Sequence, residues 1–158
     1  MAKKSKRRKK RKALRDQYRY VLRTLSGKNL DPVKITRSLG LEPDWSSVPG
    51  EVFRGKSGKV YKYPIGTWCI ASRLRRNSSL ENHVKDLIDQ IQPKKNTLLR
   101  ILKNAKGELT IAVRPHKEVA NANYYFPAEL IREFTSLGID IHFSFYDPHT
   151  WEEFCEKG

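Results

Sequence analysis

Residues 80–91, LENHVKDLIDQI, place Leu80, Val84, Leu87, Ile88 and Ile91 at i, i+4, i+7, i+8 and i+11. At 3.6 residues per turn these five side chains form one continuous apolar stripe on a helix that is otherwise polar. So one-sided a helix is stable only when its stripe is laid on another apolar surface. Runs of period two supply that surface. GELTIAVRP sets Leu109, Ile111 and Val113 against Glu108, Thr110, Ala112 and Arg114. IDIHFSFYD turns Ile139, Ile141, Phe143 and Phe145 inward, and YRYVLRTLSG gathers Tyr18, Tyr20 and Leu22 on one face, with Arg19, Val21 and Arg23 between them. In TWCIASRL, Trp68, Ile70 and Leu74 share a face with Ser72, opposite Thr67, Cys69, Ala71 and Arg73. Alternation of this kind predicts half-buried strands, and Trp68 reads as core.

The connections are punctuated by caps and stops. In LDPVKITRSLGLEP, Asp31 is the N-cap, Pro32 suits the first helical position, Ile35 and Leu39 share a face, and Gly40 ends the helix ahead of Pro43. VFRGKSGKVYKYPIG predicts a hairpin about Lys56-Ser57-Gly58, broken at Pro64. Ser78 or Ser79 caps the long helix and Pro93 ends it; Asn96 or Thr97 restarts a helix through LLRILKNAK, stopped by Gly107. Pro127 opens AELIREFTSLG, whose Leu130, Ile131, Phe134 and Leu137 read as buried and whose stop is Gly138. The segments ending at Gly40 and Gly138 echo each other, through duplication or through two uses of one capping chemistry. The order β-α-β-β-β-α-α-β-α-β predicts a single compact α+β domain, a mostly antiparallel sheet with helices on one face, ferredoxin-like or doubled ferredoxin-like. At 158 residues one domain is expected, over 14–158, behind a disordered basic arm at 1–13.

That arm, MAKKSKRRKKRKA, carries Lys3, Lys4, Lys6, Arg7, Arg8, Lys9, Lys10, Arg11 and Lys12 and no acid. The remainder holds 23 Lys and Arg against 17 Asp and Glu, so the body itself is +6 within a total of +15. A basic body behind a basic arm suggests a polyanionic partner. Nine cations on a flexible segment bind phosphate backbones through counterion release, without regard to sequence. A localisation signal, contact with anionic lipid and a solubilising extension are the competing uses. No apolar run approaches the roughly 20 residues that span a bilayer, and no apolar h-region follows the basic start. The chain is therefore expected to be cytoplasmic, with no membrane partner. Cys69 and Cys155 lie in no metal-binding spacing, and Cys69 reads as a small hydrophobe rather than half of a disulfide.

The matches Leu30-Asp31-Pro32, Ile35-Thr36, Leu39-Gly40-Leu41 and Pro43 are followed by Gly66, Trp68 and Ser72, then by Leu80, His83 and Leu87, and LGIDIHFSFYD closes the run. Over residues 18–147 this pattern resembles the bacterial domain-of-unknown-function family 4279. The resemblance leaves out the arm. It implies a compact α+β domain without an established activity, in a family some of whose members are similar to, or sit beside, toxin–immunity genes.

No strong catalytic motif is present. Gly55-Lys56-Ser57-Gly58 lacks the P-loop spacing. Among His83, His116, His142 and His149, His142 shares the outer face of the last strand with Asp140, and Asp147 and His149 follow closely, so that a metal site or acid–base pair could use them; but no HxH or HxxxH spacing is present, and solvent-facing polar residues are the simpler reading. Tyr61, Tyr63, Tyr124 and Tyr125 lie beside basic residues and could stack on bases. Arg73, Arg75 and Arg76 form a second basic cluster, Lys94-Lys95 a third, and with Arg19 and Arg23 they could make a continuous basic patch. The expectation is a non-enzymatic binding protein, without cofactor or small-molecule substrate, whose arm and basic face contact nucleic acid, RNA (ribosomal RNA included) before DNA. The alternative is a protein-binding immunity-type module that neutralises a toxin.

Overall fold

The computed structural model describes residues 18–55, 57–75, 78–114 and 125–145, with 18–23, 113–114 and 145 described by backbone alone. The arm at 1–13 lies outside the described residues. The elements run β1 (Tyr18–Gly27), α1 (Pro32–Leu39), β2 (Trp45–Ser47), β3 (Val52–Arg54), β4 (Val60–Lys62), β5 (Gly66–Ala71), α2 (Leu80–Ile91), a 3₁₀ turn (Gln92–Lys94), α3 (Lys95–Ile101), β6 (Lys106–Arg114), α4 (Ala128–Thr135) and β7 (Asp140–Phe145). This is an α+β domain. Its main sheet has the order β2-β5-β1-β6-β7, and β3-β4 form a separate two-stranded sheet. Every pairing is antiparallel except β6 with β7.

The order β2-β5-β1-β6, with α1 between β1 and β2 and α2 and α3 between β5 and β6, is a ferredoxin-like split β-α-β arrangement. The unit α4-β7 extends it by a parallel strand. A doubled version is not found among the described residues; the two Gly-stopped helices each deliver one edge strand instead. Both stops are left-handed, Gly40 at φ 64° and Gly138 at φ 67°, a conformation that costs any residue with a Cβ. The Asp31 carboxylate accepts hydrogen bonds from the Val33 and Lys34 amides at 3.0 and 3.3 Å, and Ser79, not Ser78, caps α2 through the Asn82 amide at 3.1 Å.

One core lies between the helices and one sheet face. Leu80, Val84, Leu87, Ile88 and Ile91 of α2 meet Leu25, Trp68, Ile70, Leu109 and Ile111 of the sheet, with Ile35 and Leu39 of α1, Leu98 of α3 and Leu130 and Phe134 of α4 closing the cluster. Trp68 is fully buried, and its indole N–H donates to the Thr36 hydroxyl of α1 at 3.0 Å. Backbone contact is close at one point: a Cβ on Gly66 would strike the Leu30 carbonyl, so only glycine lets the loop after β1 lie on the start of β5.

Several expectations are corrected. Leu74 is exposed, because β5 ends at Ala71, where the Asp44 carboxylate takes the Ala71 amide at 2.7 Å and the Asp86 carboxylate takes the Arg73 amide at 2.8 Å. α3 stops at Ile101 and lacks a side-chain cap at Asn96 or Thr97. Gly107 is a strand residue paired with Leu25, where a Cβ would hit Ile139 and Leu102. Ile131, Ile141 and Phe143 are partly open, because α4 and β7 form the margin of the core. Among the β1 side chains described, those of 24–27, Leu25 is buried, and it has the parity of Arg19 and Arg23 rather than that of Tyr18, Tyr20 and Leu22. The face read as outer thus carries the core at that strand's C-terminal end.

Replacing Thr36 by Val deprives the buried Trp68 N–H of its acceptor. Stability should fall by roughly 1–3 kcal/mol, whereas Thr36→Ser should retain most of it. Urea unfolding of the two variants beside the wild type measures the difference; equal midpoints for Val and Ser would remove the hydrogen bond from the account.

Candidate nucleic-acid interface

The predicted hairpin is present, and it carries more than the sequence reading assigned to it. β3 and β4 pair Val52 with Lys62, Phe53 with Tyr61 and Arg54 with Val60. The turn is closed by the Gly55 amide on the Lys59 carbonyl and the Gly58 amide on the Gly55 carbonyl, both at 2.9 Å, with Gly58 at φ 78°. Alternation puts Phe53, Tyr61 and Tyr63 on one face. Phe53 stacks on Tyr63 at 4.4 Å and on Tyr61 at 5.3 Å between ring centroids, with interplanar angles of 22° and 20°. Tyr63 meets Trp45 of β2 edge-on at 5.7 Å. The result is a column of four aromatic rings, Trp45–Tyr63–Phe53–Tyr61, running from the edge of the main sheet into the ribbon.

The ribbon is not packed into the core. Phe53 is 38% exposed and Tyr61 42%, while on the opposite face Val52 and Val60 are 56% and 53% exposed. Residues 51–63 contain Arg54, Lys56, Lys59 and Lys62 against Glu51 alone, a net charge of +3. Lys59 Nζ lies 5.7 Å from the centre of the Tyr61 ring, within cation–π range. Glu51 is occupied locally, its carboxylate accepting from the Val48 amide at 2.9 Å. A two-stranded hairpin is marginal alone in water; here the cross-strand ring stack holds it together.

The anticipated site residues are only partly brought together. Arg73 and Arg75 are exposed where the chain leaves β5, and Arg76 lies outside the described residues. Arg19 and Arg23 are described by backbone alone; Arg23 pairs with Ile70 and Leu109. Since Leu22 pairs with Ala71, the chain enters β1 at the sheet end from which Arg73 and Arg75 depart. Arg73 lies beside the middle of α2, its amide on the Asp86 carboxylate; Lys94 and Lys95 follow the C-terminal end of that helix, roughly 12 Å further along at 1.5 Å per residue, and Lys95 donates to the Ser136 hydroxyl at 3.1 Å. The hairpin leaves after Ser47 and rejoins at Gly66, at the other end of β5 from Arg73. The side chains of Arg19, Arg23 and Arg76 lie outside those described, and Arg73 and Arg75 lie at the opposite end of β5 from the hairpin. Phe53, Arg54, Lys59 and Lys62 join the candidate site through the pairing of β3 with β4, and Trp45 through its contact with Tyr63. The available signal was the basic, aromatic alternation around Tyr61 and Tyr63.

The histidines resolve differently. His83 is buried in α2, with Nδ1 2.8 Å from the Ser72 hydroxyl. The acid beside His142 is not Asp140 but Glu108, on the neighbouring parallel strand: Nδ1 lies 3.3 Å from Oε1, which also accepts from the Thr110 hydroxyl at 3.1 Å, and Lys106 approaches Oε2 at 3.6 Å. His116 and His149 lie outside the described residues, as do Tyr124 and Cys155. Among the described residues, no group of three or more His, Cys, Asp or Glu side chains is placed to hold a metal ion, and no helix is long and apolar enough to cross a membrane. Cys69 is buried with a free thiol whose pKa is raised by burial, against a small opposing effect of the Thr24 hydroxyl.

The geometry defines a ferredoxin-like α+β domain bearing a cationic, aromatic ribbon at one end of its sheet. The chain belongs to the family "Domain of unknown function (DUF4279)", whose pattern matches residues 16–148. No curated protein and no solved structure matches it.

The Glu108 carboxyl is affected first by partial burial, which raises its pKa, but hydrogen bonds from Thr110 and His142 and the charges of His142 and Lys106 outweigh this and leave it below its usual value of 4.5. A depressed carboxyl stabilises the fold above its unfolded pKa, and that contribution disappears as pH falls through the lower folded value. Glu108→Gln should therefore lose less stability than the wild type on acidification from about pH 6 to about pH 3, read as the shift in urea midpoint. Parallel losses would show that the group has no such linkage.

Proposed function

We propose that the protein is a non-enzymatic, cytoplasmic binding protein that contacts nucleic acid, RNA before DNA, through its N-terminal cations and the β3-β4 ribbon. The observation that carries this reading is the ribbon: cations in excess over acid, interleaved with aromatic rings of which Phe53 and Tyr61 stay exposed, on a hairpin outside the main core. Arg and Lys are suited to phosphate, and exposed rings to bases. Arg73 and Arg75 add positive charge where β5 ends, near the entry of the chain into β1. The arm contributes attraction without sequence preference, because its nine cations act on the phosphate backbone alone. The ribbon is a shaped surface and is the better source of selectivity.

Fluorescence anisotropy with a labelled single-stranded RNA tests this. Affinity should fall steeply as salt rises, with a log–log slope set by the phosphates neutralised, about 0.7 each for single strands. Deleting residues 1–13 should lower that slope by up to about 6 and leave weaker, still measurable binding. Absence of binding by the full chain at low salt would overturn the reading. Affinity insensitive to salt would do so too.

A further inference from the structure

Resting on that reading, we propose that Tyr61 is a stacking platform for an unpaired base, so that the ribbon selects single-stranded over double-stranded nucleic acid. Along the column Trp45–Tyr63–Phe53–Tyr61, Phe53 has Tyr61 on one side and Tyr63 on the other, and Tyr63 is met by Trp45. Tyr61 is the terminal ring. The edge of its ring rests on the Gly55 backbone, where an added Cβ would come within 3.0 Å of Cε2, and the flexible Lys59 side chain reaches to 5.7 Å from the ring centre. Its ammonium marks the ring as a place where positive charge already sits beside a π-face. That pair of groups matches a nucleotide, whose base needs a flat apolar partner and whose phosphate needs a cation a few ångströms away.

Bases in a duplex are stacked on each other and hidden within the helix, so only an unpaired base can extend the ring column by one member. The stack beneath Tyr61 holds its ring in place before the ligand arrives, which reduces the ordering cost of binding. Arg54 and Lys62 alternate onto the opposite face of the ribbon, where they meet the backbone of a strand that wraps the hairpin. Tyr61 keeps 42% of its surface open, against 38% for Phe53, which has a ring on either side. Charge also decides the occupant: the segment is net +3, a poor surface for a second copy of a chain that is itself +15, and a favourable one for a polyanion.

The test uses the full chain, a single-stranded RNA of about twelve nucleotides, within the range of single-strand site sizes, and the same RNA annealed to its complement. Wild type should bind the single strand at least several-fold more tightly at fixed salt. Tyr61→Leu, which keeps an apolar side chain on the hairpin, should weaken single-strand binding about tenfold and leave duplex binding unchanged. Tyr61→Phe should restore it. Lys59→Gln should weaken both and reduce the salt slope. Equal wild-type affinity for the two RNAs overturns the proposal while leaving nucleic-acid binding intact. Equal losses for both RNAs in Tyr61→Leu also overturn it, as a general effect on the hairpin. A wild type that sediments as a dimer, with Tyr61→Leu monomeric, assigns the column to contact between copies instead. No binding of either RNA by wild type removes the underlying reading itself.

Discussion

Helix α2 turns Leu80, Val84, Leu87, Ile88 and Ile91 to one side, and in this chain that stripe is buried on a sheet face. Each such side chain is worth about 1.5–3 kcal/mol when taken out of water. The face that receives them is built on the central strands, with Leu25 in β1 flanked by Trp68 in β5 and Gly107 in β6. Once α2 is seated there, the other helices have little choice. α1 reaches the same layer by crossing from β1 to β2, and its Thr36 takes the indole N–H that the buried Trp68 must satisfy. α4 covers the far side and hands the chain to β7. All the large apolar burial is thereby committed to one face. The β3-β4 excursion, inserted between an edge strand and β5, has no helix of the described residues packed on it.

The same logic explains what could be read in advance. Periodicity and capping depend on neighbours within a few residues, so the α2 stripe, the Asp31 cap, the Gly40 and Gly138 stops, the Lys56-Ser57-Gly58 hairpin and the buried Trp68 were legible. Strand phase and strand ends depend on partners far away. The inner parity of β1 is set by the register of Leu25 against Trp68, which Tyr18, Tyr20 and Leu22 do not encode. The end of β5 is set by Asp44 and Asp86, which take the amides of Ala71 and Arg73. Gly107 has the composition of a helix stop but is drawn into β6 by its pairing with Leu25. The site was legible in its chemistry and not in its assembly. Tyr61 and Tyr63 were visible as aromatics among cations, yet only cross-strand pairing brings Phe53 onto them, and only the turn at the sheet edge brings Trp45.

Charge and shape are thus divided along the molecule. The arm's nine cations precede β1 in sequence, and Arg73 and Arg75 lie at the sheet end where β1 begins; the ribbon lies beyond the opposite end of β5. A flexible polycation raises the encounter rate and the affinity for any phosphate polymer, but it distinguishes poorly between them, because phosphates are alike in every sequence and in single and double strands. Discrimination needs groups held at fixed spacing. In this chain the rings of the ribbon meet that requirement, being stacked at 4.4 and 5.3 Å on paired strands. A ligand long enough to touch both ends would gain from the arm without having its choice made there. Selectivity would then rest on a hairpin of marginal intrinsic stability, held in shape by the same rings that face the ligand. Under the proposed reading, ring contacts that hold the hairpin and ring contacts that bind would be coupled: loosening the column would weaken both, and a base added at its end would strengthen both.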